Sequence, residues 1–84
     1  MLLVTTITAM DGKFEETIRA LKRLKVPEGI KVREFLGLFG EPDAMIVFEA
    51  ADEKKAVEFV CLLGSQVMCK TSLAFPIDEF KWTK

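Results

Sequence analysis

The feature that most constrains this chain is the order in which its hydrophobic period changes. Leu2-Leu3-Val4-Thr5-Thr6-Ile7-Thr8 is rich in β-branched residues and reads as a strand. After Asp11-Gly12 the period lengthens: Phe14, Ile18, Leu21 and Leu24 recur at helical spacing, opposite Glu15, Arg19, Lys22 and Arg23. Asp11 stands where a helix N-cap is expected, with Glu15 and Glu16 suited to the first turn. Pro27-Glu28-Gly29 ends this helix. Ile30 to Phe39 reads as a second strand, Gly40-Glu41-Pro42-Asp43 as a turn, and Ala44 to Ala50 as a third strand. Asp52 caps a second helix, Glu53 to Leu63, that stops at Gly64, and Val67 to Phe75 is the last strand.

The order β-α-β-β-α-β is that of the ferredoxin-like α+β fold. Right-handed crossovers put both helices on one face of a four-stranded antiparallel sheet. Residues 1–84 make a single domain, closed by a short helical turn over 76–82 that begins at Pro76, a residue suited to the first turn of a helix. There Phe80 and Trp82 are expected to fold back over a sheet edge or a partner subunit.

The other face of such a sheet has no helices to cover it. If it met water, the strands should alternate apolar with polar residues, and they do so poorly. In the third strand Ala44, Ile46, Phe48 and Ala50 form one phase, and Met45, Val47 and Glu49 the other. In the second, Ile30, Val32, Leu36 and Leu38 share a phase, with Phe35 and Phe39 in the other. Glu34 breaks this alternation, so a bulge near Arg33-Glu34 would exchange the two sets. Either way both faces carry large apolar groups, and leaving such side chains in water forgoes roughly 1.5–3 kcal/mol each. Half the residues are apolar, a high share for so small a domain. A second copy packing sheet against sheet is the expected remedy, giving a homodimer or a higher assembly of dimers.

Several chemistries lack their residues. Net charge is −1, so there is no electrostatic footprint for nucleic acid, and the third strand has no Lys/Arg-Gly-Phe signature of an RNA-recognition domain. The chain has no histidine, tyrosine or asparagine, which removes the Ser-His-Asp and Cys-His arrangements. Cys61 and Cys69 are not in a CxxC pair; they are expected to be reduced packing residues, and no metal or other cofactor is expected. Gly37-Leu38-Phe39-Gly40 is not a phosphate loop, and a structural role is expected for it. No stretch resembles a signal peptide or reaches the roughly 18 apolar residues of a membrane span. A cytoplasmic protein with neither nucleic-acid nor membrane partners is expected.

The second half carries a resemblance. Gly40-Glu41-Pro42-Asp43, the strand ending in Glu49-Ala50, the helix led by Asp52, and Thr71-Ser72-Leu73-Ala74-Phe75 followed by Glu79-Phe80 are similar to the GYD-domain family of small dimeric α/β-barrel proteins. The likeness covers residues 30–80, with two departures. The turn lacks the family's tyrosine and has one extra residue, and Pro76 stands where serine or threonine is usual. The resemblance implies the ferredoxin-like fold and the face-to-face dimer; it implies no activity that can be carried over residue by residue.

The functional expectation is a dimer that holds a small apolar or amphipathic ligand between sheet and helices or between the two sheets. Phe35, Phe39, Met45, Glu49, Met68 and Lys70 are the expected lining, apolar groups with a few polar anchors. The alternatives are an oligomerisation module whose cavity is filled by side chains, and a cofactor-free oxygenase-like enzyme in which Glu49 would matter.

Overall fold

A computed structural model describes residues 1–64 and 67–83. Its strands are β1 (Leu2–Ala9), β2 (Ile30–Gly37), β3 (Ala44–Ala50) and β4 (Val67–Leu73), and its helices are α1 (Phe14–Lys22) and α2 (Glu53–Leu62). The strands form one antiparallel sheet in the order β2-β3-β1-β4. This is the ferredoxin-like arrangement expected from the order of elements. Both helices contribute to one core: Leu21 of α1 and Phe59 of α2 meet Ile7, Ile46 and Phe48 of the central strands. The Phe48 and Phe59 rings meet edge to face at 4.9 Å, a geometry favoured by their quadrupoles.

The period of two along β3 sorts its side chains between the faces. Ala44, Ile46, Phe48 and Ala50 are buried under the helices, and Met45, Val47 and Glu49 point to the bare face, where they are only partly covered. On β1, Leu3, Thr5 and Ile7 take the helix side. Buried Thr5 keeps its hydroxyl satisfied by the Thr71 hydroxyl on β4, 2.7 Å away.

Between β2 and β3 the pairing runs Val32 to Phe48 and then Glu34 to Val47, leaving Arg33 as an extra residue. This is the expected bulge. It turns Phe35 to the helix side, opposite Ile46, and Leu36 to the bare face, opposite Met45. Strict alternation would have placed both the other way.

Local signals at the helix ends fare unequally. Asp52 caps α2 through its side chain, Oδ1 accepting from Lys55 N at 2.8 Å. Asp11 does not cap α1. Gly12, at φ +77°, turns the chain so that Lys13 N donates to Met10 O, and the helix starts at Phe14 with no side-chain cap. Strand ends are also earlier than their apolar runs suggest, at Gly37 and Leu73. Asp43 ties the β2–β3 loop to the end of β1: its N–H donates to Ile7 O, and Oδ2 accepts from Ala9 N at 2.8 Å.

Beyond β4 the chain makes a short 3₁₀ turn, Ile77–Glu79, with Pro76 at its start. Phe80 and Trp82 pack on each other edge to face at 4.9 Å, and Trp82 stays largely exposed instead of folding over the sheet edge. No helix among the described residues is long and apolar enough to cross a membrane.

Candidate functional site on the bare sheet face

The register assembles the bare face row by row. Lys31, Glu49 and Leu2 form the first row, Glu34, Val47, Val4 and Ser72 the second, and Leu36, Met45, Thr6 and Lys70 the third. Thr8 and Met68 follow. Its centre is thus Leu2, Val4, Val47, Met45 and Leu36, with charge confined to the flanks. Leu36 and Met68 are exposed, and the other large apolar side chains are half-buried.

On the β2 flank Glu49 is already paired, while Lys31 and Glu34 make no salt bridge among the described residues. The bulge frees Arg33 from the strand ladder, and its Nε donates to Glu49 Oε2 at 2.6 Å. That hydrogen bond, with Arg33 and Lys31 charges nearby, holds the Glu49 carboxyl below the usual carboxylate range. A carboxylate so engaged is a weak base, which counts against an enzymatic part for it. On the opposite flank Lys70 makes no salt bridge among the described residues; its backbone carbonyl lies 3.5 Å from the Thr6 hydroxyl.

Of the six residues expected to line a site, Met45, Glu49, Met68 and Lys70 share this face. Phe35 does not: the bulge sends it under α1, where it lines a groove of about 480 Å³ with Ile18, Leu24, Val26 and Val32. Phe39 joins neither group, since β2 ends two residues earlier and its ring is fully exposed in the loop. Leu2, Val4, Leu36 and Val47 complete its apolar centre and lie outside the six. The Arg33–Glu49 partnership had a signal in the sequence, because a bulge residue next to a broken alternation is free to reach across the ladder.

The cysteines are both free. Cys69 is half-buried on the helix side of β4, and burial pushes its thiol up. Cys61 lies exposed on α2 and is not the interior packing residue it was expected to be. No cluster of potential metal ligands occurs among the described residues.

Fold and face together define a ferredoxin-like α+β domain with one helix-covered sheet surface and one uncovered surface with an apolar centre. No protein-family model matches the chain, and no curated protein is significantly similar to it.

Proposed function

We propose that two copies of this chain pack their bare sheet faces together, and that the space between them holds a small amphipathic molecule with an acidic group. The observation that carries this reading is the composition of the face: an apolar centre of Leu2, Val4, Leu36, Met45 and Val47, with Lys70 on its border free of any salt bridge among the described residues. Contiguous apolar surface of this kind on a small domain favours association, and two sheets stack at about 10 Å, a gap that side chains or a thin ligand can fill. Methionines at two positions suit a lining that adapts to its occupant. Lys70 supplies a cationic anchor, with the Thr6 hydroxyl on the neighbouring strand.

Native mass spectrometry of the protein as purified tests both halves of the reading. A dimer carrying one small molecule supports it and supplies a mass to identify. A bare dimer supports the association alone and favours an oligomerisation module. A stable monomer at micromolar concentration overturns the reading. For the anchor, anilinonaphthalene sulfonate serves as an apolar anionic probe: Lys70→Met should weaken its binding and leave the dimer intact, and unchanged affinity removes Lys70 from the site.

A further inference from the structure

Past Ala74 the chain becomes an arm whose backbone, among the described residues, makes no hydrogen bond to the rest of the domain. Ala74 N donates to Leu2 O, and beyond that point every backbone hydrogen bond among the described residues is internal to the arm: Glu79 to Pro76, Phe80 to Ile77, Thr83 to Phe80. Yet much of it is apolar: Phe75, Pro76, Ile77, Phe80 and Trp82. Phe75 is 56% exposed, Ile77 78% and Trp82 75%. The molecule extends to 44 Å in its longest dimension, with a radius of gyration of 13.7 Å. A compact chain of this length would have about 12 Å. An extended arm of this composition is poorly stabilised in isolation.

Two apolar grooves on the helix side could receive it. The nearer, between α2 and β4, is lined by one acid, Glu53, and by Met1, whose terminal ammonium donates to Ala50 O. The farther, between α1 and β2, has Lys22. The segment bounding that farther groove, from Lys22 to Val26, also carries Arg23 and Lys25, and none of these three cations makes a salt bridge among the described residues. The arm presents Asp78 and Glu79 beside its apolar groups, with Lys81 the single cation from Phe75 to Trp82, so its net charge is −1; none of the three makes a salt bridge among the described residues. Charge therefore selects the α1–β2 groove. That groove opens at the β2 edge of the sheet, whereas the arm leaves from the β4 edge, about 14 Å away across three strand spacings.

An exchanged arm adds apolar contact to a sheet-face dimer, where both groove and arm are otherwise exposed. We infer that the arm, Phe75 to Trp82, docks in the α1–β2 groove of a second copy of this chain, seating its aromatic groups against Val26, Val32 and Phe35 and its acidic pair against Lys22, Arg23 and Lys25. This concerns how copies join and extends the dimer reading, from which its test separates it.

Trp82 is the chain's one tryptophan, so its emission reports the arm directly. Emission and mass are measured together across a dilution series of the full chain. Docking in trans predicts blue-shifted emission in the associated species and its loss on dilution to monomer. Lys22→Glu should lose the blue shift, and adding Asp78→Lys, with Glu79 left to face Arg23 and Lys25, should restore it. Association with Trp82 still exposed overturns the arm proposal and leaves the sheet-face dimer standing. A monomer with exposed Trp82 at every concentration overturns both. Blue-shifted emission in the monomer places the arm on its own domain and overturns exchange, as does a blue shift that Lys22→Glu leaves unchanged.

Discussion

Arg33 Nε lies 2.6 Å from Glu49 Oε2 because Arg33 is the extra residue of the β2 bulge, released from the ladder to reach across to the neighbouring strand. One irregularity thus decides three things. It pairs the acid on the bare face, turns Phe35 under α1, and brings Leu36 out opposite Met45.

The Arg33–Glu49 pair sets a pH dependence whose sign follows from the lowered carboxyl. Glu49 titrates below its unfolded value of about 4.3, so its contribution is complete above that pH and is lost as pH falls through the lower folded value. Arg33→Met should therefore lower stability near neutrality and make no difference once Glu49 is protonated. The effect should be small and should shrink in high salt, because Arg33 is exposed and Glu49 partly so. Urea denaturation of both proteins at neutral and acidic pH checks the sign.

The core predicts a much larger loss. Phe48 and Phe59 are wholly buried and face each other across the sheet–helix boundary. Replacing either with alanine should cost about 3–5 kcal/mol, a large part of the stability of a domain this size. Thermal melting followed by circular dichroism would show a much lower midpoint or no folded baseline.

The two aspartates near the helix starts should respond differently. Asp52→Ala removes a formed cap bond to Lys55 N and should cost about 1 kcal/mol. Asp11→Ala removes no such bond and should stay within about 0.5 kcal/mol of the parent. Chemical denaturation of the pair side by side measures the difference.

On the bare face, Val47→Lys places a charge beside Val4, at the apolar centre of the sheet. It should abolish the proposed dimer while leaving the circular dichroism spectrum of the fold unchanged, because Val47 points away from the helix-side core. Sedimentation at several concentrations reads the association. A variant still dimeric would mean that the copies join elsewhere.

Much of the fold is legible in the residues because period and burial are the same physical fact. The two phases of β3 separate as their side chains sort, and the broken alternation at Glu34 marks the bulge. What was not legible depended on backbone turns of a few residues. Asp11 and Asp52 look equally suited to cap a helix, but the positive φ of Gly12 moves the start of α1 beyond Asp11's reach. Phe35 and Phe39 share a phase in the sequence, yet the bulge and an early strand end send one under a helix and the other into solvent. A set of site residues drawn from one face was therefore bound to mix two surfaces.

The position of β1 also governs how the molecule comes into being. It is a central strand, yet its partners lie far along the chain: Thr5 bonds Thr71 across 66 residues, and Ala9 bonds Asp43 across 34. Such distant pairings carry a high loop-closure cost before they are rewarded, and they slow the search for the native topology. The earliest strand synthesised is then the last to be flanked on both sides. Until β4 arrives, its edge is open to strands of other molecules, so crowded synthesis is when this small domain is most exposed to mispairing.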